Sequence, residues 1–309
     1  MDIFLQQILN GLVLGSVYAL VALGYTMVYG ILGLINFAHG EVVMVGALTA
    51  LSVMAGITAL GVGLPAPLVI LLALMVAIVV CMTLGFTIER VAYRPLRRAP
   101  RLAPLITAIG VSILLQNIAM LIWGRRYHTF PSIIKPTPHE FLGATITDLQ
   151  ILIIVVSALI MGGLLLLVHT TRLGRAMRAT SENQIVAGLM GVNVNRIISA
   201  TFVIGSALAA VAGVLVSANY SIAHYYMGFM LGLKAFTAAV LGGIGNLGGA
   251  MLGGLLLGLI ESIGAGYIGD LTGGFLGSHY QDVFAFVVLI AVLVFRPTGL
   301  MGERVAERA

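Results

Sequence analysis

Nine stretches of this chain run for about twenty residues with at most one charged residue each, near 5–29, 37–57, 66–88, 103–123, 149–168, 197–218, 229–245, 249–268 and 280–295. About 20 apolar residues in a helix cover the hydrocarbon core of a bilayer. Inside that core only helices and closed barrels satisfy their own backbone hydrogen bonds. These runs do not alternate with period two, so they predict helices. The expected fold is an all-α polytopic membrane protein of about 8–10 transmembrane helices, formed as a single membrane domain over 1–309. Two stretches, 24–46 and 229–254, look interrupted, as broken helices would. A water-soluble globule is excluded by composition: 60% of the residues are hydrophobic and 9% charged, against about 25% charged in soluble domains.

The net charge of +5 does not point to nucleic acid, because of where the charges fall. Twelve of the 16 Lys and Arg form three clusters between or after apolar runs: Arg90, Arg94, Arg97, Arg98 and Arg101; Arg172, Arg175, Arg178 and Arg196; and Arg296, Arg304 and Arg308. Basic residues concentrate in cytoplasmic loops. The expected placement is therefore multi-pass in a bacterial inner membrane, with the C-terminus cytoplasmic, the N-terminus outside and 124–148 as an external loop. The first apolar run has no Lys or Arg before it and reads as a retained span, not a removed signal peptide. The single cysteine, Cys81, lies in an apolar run, so neither a disulfide framework nor a Cys-based metal site is available.

Residues 242–254 contain seven glycines, and Gly243-Ile244-Gly245-Asn246-Leu247-Gly248 matches G-x-G-x-x-G. In a soluble βαβ unit that spacing cradles a pyrophosphate. Here the flanks are apolar helices. The acid expected about 20 residues on is missing: Glu261 is too near, and Asp270 lies beyond another apolar helix. Gly243, Gly245 and Gly248 are read instead as a tight turn and packing surface between two membrane helices, where small residues let backbones approach. Leu14-Gly15-Ser16 and Ile204-Gly205-Ser206 each open an Ala-rich helix and precede an Ala-His pair, a faint sign of two related halves.

Some polar residues fall inside apolar surroundings. Asn36, His39 and Glu41 lie within Ile35–Glu41. Ionisable groups at membrane depth cost about 2.5 kcal/mol or more and usually face a cavity or one another. Two readings stay open: a loop at the membrane surface with Asn36 as a helix cap, or a broken helix lining a translocation path. Lys234 either snorkels to an interface or lines the path. Gln116 and Asn117 bond a neighbouring helix or line the path. Asn219, Tyr220 and His224 are an external loop or a contact for substrate or partner. The six histidines show no H-x-x-x-H or H-E-x-x-H spacing, and there is no G-x-S-x-G elbow and no Walker A sequence. No metal site and no catalytic residue are expected.

The basic stretch 172–196 contains a helix signal. Ser181 is a good N-cap with Glu182 in the first turn. Ile185, Val186, Leu189 and Met190 recur at helical spacing, Ala187 and Gly191 lie four apart, and Gly191 gives a stop. An amphipathic helix of about ten residues is expected on the cytoplasmic side, lying on lipid or against a protein.

Glu182-Asn183-Gln184-Ile185-Val186-Ala187-x-x-x-Gly191 resembles, in diverged form, the E-A-A-x-x-x-G coupling loop of ABC importer permeases. Leu23–Gly30, Ile35–Glu41, Lys234–Asn246 and Phe295–Leu300 resemble the permease family for branched-chain amino acids, and in particular the smaller of that transporter's two permease subunits. The resemblance implies a subunit that is not itself an enzyme. Its partners would be a second permease subunit, two cytoplasmic ATPase subunits, an extracytoplasmic binding protein and membrane lipid, with no nucleic acid. It would hold no cofactor, ATP and Mg belonging to the ATPases. Ser181, Glu182, Ala187 and Gly191 would couple to an ATPase, and Asn36, His39, Glu41, Asn219 and Lys234 would be candidates for the path. Asn183 and Gln184 depart from the two alanines of the general motif, which leaves the docking register open. Urea and short-amide importers resemble the same N-terminal block. A proton-coupled carrier or channel using His39 and Glu41 is the alternative of another class.

Overall fold

A computed structural model describes residues 2–61, 63–97, 99–100, 102–131, 137–141, 143–271 and 280–302. Among them, seven helices are long and apolar enough to cross a membrane, and two shorter apolar helices, 227–242 and 285–295, accompany them. These nine lie on the nine apolar runs of the sequence. In chain order the helices are α1 (Asp2–Leu32), α2 (His39–Ala59), α3 (Ala66–Ile88), α4 (Leu102–Trp123), α5 (Asp148–Thr170), α6 (Arg172–Glu182), α7 (Gln184–Leu189), α8 (Val194–Tyr220), α9 (Met227–Gly242), α10 (Leu247–Leu271) and α11 (Gln281–Phe295). A π-helical turn, Glu89–Tyr93, and a 3-10 turn, Arg94–Leu96, extend α3. The stretch 124–148, read from sequence as a loop, contains β1 (His128–Thr129), β2 (Pro138–Phe141) and β3 (Ala144–Thr147), and β4 (Ile222–Ala223) follows α8.

The chain divides into two compact units, each assembled from segments far apart in the sequence. One comprises residues 1–26, 136–161 and 234–309. In it α1 lies against α10 through small residues. A Cβ on Gly11 would sit 2.8 Å from Leu259 Cα, one on Gly15 2.8 Å from Leu255 Cα, and one on Gly254 would strike Ala19. Membrane helices gain little from the hydrophobic effect against each other, so such close backbone contact supplies the attraction. The antiparallel β2–β3 hairpin pairs Pro138 with Thr147 and His139 with Ile146. Gln6 fastens it to α1, donating to the Thr145 carbonyl at 3.0 Å and accepting from the Thr145 N–H at 2.7 Å.

The other unit comprises residues 27–135 and 162–233. Its core is α2, α3 and α8, again joined at small residues: Gly46 on Ala210, Gly213 on the Val43 carbonyl and Gly85 on Ser206. Helix α4 lies along α2, and the Trp123 indole N–H donates to Ser52 Oγ at 2.7 Å. β1 and β4 pair antiparallel, His128 with Ala223.

Candidate functional site

The connection between α1 and α2 and the first turn of α2 carry Asn36, His39 and Glu41. Helix α1 ends at Leu32 and Gly33 takes φ +63°, which ends the helical path. Helix α2 starts at His39 without a side-chain cap. Asn36 does not cap it; its Oδ1 accepts from the Tyr93 hydroxyl at 2.9 Å. Glu41, in the first turn of α2, accepts at Oε1 from Ser112 Oγ at 3.1 Å and Gln116 Nε2 at 2.7 Å. Ser112 and Gln116 stand in the middle of α4. From Glu41, α2 runs about 16 Å, at 1.5 Å per residue, to Ser52, whose Oγ meets Trp123 at the end of α4. Helix α2 therefore begins level with the middle of α4, and the break before it runs from exposed Gly33 to buried Asn36 and Ala38. Asn36, His39 and Glu41 are all buried.

The first turn of α9 reaches the same level. Gly228 lies so close to Gly40 that a Cβ on either would strike the other's carbonyl oxygen. A Cβ on Gly228 would also come within 2.9 Å of Glu41 Oε2, and that oxygen has no hydrogen-bond partner. The structure thus brings Glu41 together with Ser112, Gln116 and Gly228, while Asn36 is joined to Tyr93. Gln116 is explained by this bond; Asn117 donates within α4, to the Ile113 carbonyl at 2.8 Å. Asn219 lies elsewhere, half-buried in the last turn of α8. Nearby, the His224 ring stacks on Tyr127 at 4.2 Å.

At the end of α3 is a polar cluster whose acid the sequence reading passed over. Glu89 is 0% exposed. It accepts from Arg94 Nε at 3.2 Å and Nη2 at 2.9 Å, from Arg97, and from Ser199 Oγ at 2.7 Å. Arg97 donates onward to Asn195 Oδ1 at 2.6 Å, in the first turn of α8. Burial lowers the Arg97 guanidinium from its ordinary pKa, and the Glu89 carboxylate acts to raise it. Residues five and eight apart do not share one face of a regular α-helix, so the cluster forms through the π-helical and 3-10 turns over Glu89–Leu96, which the sequence spacing does not signal.

The 172–196 stretch is two helices where one was expected. Ser181 lies within α6, its hydroxyl donating to the Arg178 carbonyl at 2.8 Å, and Glu182 ends that helix. Asn183 is the cap of α7: its backbone is extended, and its Oδ1 accepts from Ile185 N at 3.0 Å and Val186 N at 3.1 Å. Asn183, two residues on and with an extended backbone, takes the role assigned to Ser181. Gly191, φ +86°, ends the segment in a Schellman motif, with Gly191 N bonded to Gly188 O at 3.1 Å and Val192 N to Ala187 O at 3.0 Å. Ala187 is 3% exposed and faces its own chain. Ile185 at 78%, Leu189 at 82% and Met190 at 80% present an apolar surface outward. Gln184 Nε2 donates to the Ile31 carbonyl at 2.8 Å, tying α7 to the last turn of α1. Arg175 and Arg178 reach back to carbonyls of α5, Thr170 and Val168.

Lys234 does not extend toward a membrane surface. Its Nζ is held by Glu261 Oε2 at 3.1 Å and Asp282 Oδ1 at 2.7 Å, and Tyr18 donates to Glu261 Oε2 at 2.7 Å. Downstream, Gly243 (φ +107°) and Gly245 (φ +100°) form the turn between α9 and α10, with Asn246 Oδ1 capping α10 by accepting from Gly249 N at 3.0 Å. The helix contact expected at Gly243, Gly245 and Gly248 is made instead by Gly242 on Gly249 and by Gly253 on Ala238, because the turn consumes the first two and Gly248 meets only Asn246 at 3.4 Å. Residues 299–301 close over this turn: Leu300 N donates to Leu241 O at 2.9 Å and Met301 N to Gly242 O at 2.8 Å. These bonds satisfy carbonyls that a helix end leaves open.

The family model described as the permease component of branched-chain amino acid transport systems matches residues 7–293. The high-affinity branched-chain amino acid transport system permease protein BraD of Pseudomonas aeruginosa is 50% identical over 312 residues, covering 99% of this chain and 98% of that one. The corresponding permease protein LivH of Escherichia coli K12 is 46% identical over 309 residues, covering 99% and 97%. A solved structure of PsaBC from Streptococcus pneumoniae in complex with Fab covers 95% of this chain and 91% of that chain, at 16% identity and a TM-score of 0.46. The chain, matched by the family model over nearly all its length, belongs to the family of branched-chain amino acid transport system permease components.

Proposed function

We propose that this chain is a permease subunit of an ATP-driven, binding-protein-dependent importer that moves leucine, isoleucine and valine across a bacterial inner membrane. The observation that carries this reading is the near full-length similarity to BraD, a high-affinity branched-chain amino acid transport permease. The two compact units act as one permease domain. A second permease subunit completes the membrane core, two ATPase subunits bind ATP and Mg outside this chain, and an extracytoplasmic protein delivers substrate. The basic residues at 90–101, 172–196 and 296–308 support a cytoplasmic C-terminus, with the N-terminus on the opposite side of nine spans.

Helix α7 is the handle for the ATPase. Its outward apolar side chains, Ile185, Val186, Leu189 and Met190, favour a protein groove over water. Ser181 and Glu182 precede it, Ala187 seats it on its own chain and Gly191 ends it. The path candidates are Asn36, His39 and Glu41 at mid-span, with Asn219 and Lys234 further along the chain.

The test is uptake by the purified complex in proteoliposomes with ATP inside, offered radiolabelled leucine or urea with a cognate binding protein. ATP-dependent leucine uptake is the expected result. Urea uptake overturns the substrate, and uptake of either without ATP overturns the role of α7.

A further inference from the structure

Glu41 is a buried carboxylate with one oxygen satisfied and one not. Oε1 takes bonds from Ser112 and Gln116, and Oε2 takes none. Protonation does not cure this, since a carboxylic acid there would still need an acceptor for its hydroxyl. Buried polar atoms in folded proteins are almost always paired, so an orphan calls for a reason. The reason must be stronger at mid-span, where no bulk water substitutes for a partner. A carboxylate kept only to join α2 to α4 would be served by Oε1 alone, as a glutamine would.

The unmet oxygen is directed at the first turn of α9. No side chain stands between, because the facing residue is Gly228, and its neighbour across the seam is Gly40. Two helix N-termini, of α2 and α9, thus meet beside one carboxylate. Each N-terminus carries partial positive charge, and half-helix N-termini at the bilayer midplane suit an anionic group. A single negative oxygen next to two positive helix ends matches a zwitterion. A metal ion fits poorly: among the described residues no group of three His, Cys, Asp or Glu comes together to hold one.

We propose that Glu41 Oε2 receives the ammonium group of an α-amino acid in transit, with the first turns of α2 and α9 facing its carboxylate. This rests on the importer reading above. The seam is closed in this structure, Gly228 lying against Oε2, so the site opens when the first turn of α9 moves off Gly40. A glycine-on-glycine seam has no interlocked side chains to disengage. Specificity at this point is for the ammonium.

The test uses the reconstituted complex with a saturating leucine-loaded binding protein. Glu41→Gln keeps the shape and the acceptor for Ser112 but removes the charge. It is expected to lower leucine uptake at least tenfold. Glu41→Asp, which keeps the charge, is expected to retain more uptake than Glu41→Gln. On the unmodified complex, 3-methylbutylamine, an ammonium without a carboxylate, is expected to inhibit uptake, and 4-methylpentanoate, the converse, is not. That competition decides the matter even if Glu41→Gln does not assemble. Wild-type uptake by Glu41→Gln overturns the site, as does equal inhibition by amine and acid or inhibition by neither. Failure of the importer reading is distinguishable, because the unmodified complex would then show no ATP-dependent leucine uptake.

Discussion

The Tyr93 hydroxyl donates to Asn36 Oδ1 at 2.9 Å while its ring tilts against Phe202 at 5.3 Å, so one side chain joins the π-helical turn after α3, the break before α2 and helix α8. Tyr93→Phe keeps the ring contact and leaves a buried amide oxygen without its donor. An unsatisfied buried group costs about 1–3 kcal/mol. The thermal midpoint of the purified protein is expected to fall accordingly. Tyr93→Phe/Asn36→Leu, which removes both partners, is expected to fall little further than Tyr93→Phe alone, because the two substitutions act on one bond. Additive losses in that cycle would show that the hydroxyl serves something other than Asn36.

Glu89 holds two guanidinium groups and a serine from a site with no exposure. Glu89→Leu leaves those charges uncompensated, which costs about 3–5 kcal/mol for a buried pair, less here in proportion to the partial exposure of Arg94 at 32%. The expected outcome is loss of folded protein on extraction, or a strongly lowered unfolding temperature. Arg97→Lys keeps the ion pair but gives up the forked reach to Asn195, and is expected to cost a fraction of that amount. Equal stability of Glu89→Leu and the unmodified protein would mean the cluster contributes nothing to holding α3 against α8.

The helices were legible because each apolar run is a covalent fact about length and hydropathy. The break at 33–38 was half legible: polar residues at Asn36, His39 and Glu41 marked it, but its depth follows from Glu41 meeting Ser112 and Gln116, a contact 71 and 75 residues apart. The cap at Asn183 was missed because Ser181 is as good a capping residue by type, and only the extended backbone at Asn183 selects between them. Lys234 looked like a snorkelling lysine because its partners, Glu261 and Asp282, lie 27 and 48 residues downstream. Both acids sit singly in apolar runs, and a lone acid and a lone base at membrane depth are each other's most economical partners. The glycine-rich turn was recognised, but not the segment Gly299–Met301 that closes it, since backbone bonds leave no mark in side-chain sequence.

The exposed apolar face of α7 allows the proposed docking role to be tested apart from folding. Leu189→Asp and Met190→Asp alter side chains about four-fifths exposed, where substitutions usually change stability by about 0.5 kcal/mol or less. They are expected to leave the unfolding temperature nearly unchanged and to reduce ATP-coupled leucine uptake at least tenfold, with reduced co-purification of the ATPase. Ala187→Trp is expected to behave oppositely, because Ala187 is buried against its own chain and a larger side chain there overpacks. Retained uptake in both aspartate variants would place the ATPase contact elsewhere.

Lys234 sits between the side chains of Glu261 and Asp282. Glu261 is 1% exposed and Asp282 30% exposed, so the two acids respond differently to loss of the lysine. Lys234→Met strands Glu261, whose remaining donor is Tyr18, and is expected to lower stability by about 3–5 kcal/mol. Lys234→Met/Glu261→Met removes both ends of the buried pair, and replacing such a pair by apolar residues is often close to neutral; most of the lost stability is expected to return. Unfolding temperatures of the two variants decide the point, and leucine uptake adds a second axis. If stability returns but uptake does not, the charge of Lys234 acts in transport as well as in packing. If both return, the ion pair is a structural device joining α9 to α10, and Lys234 leaves the set of path residues.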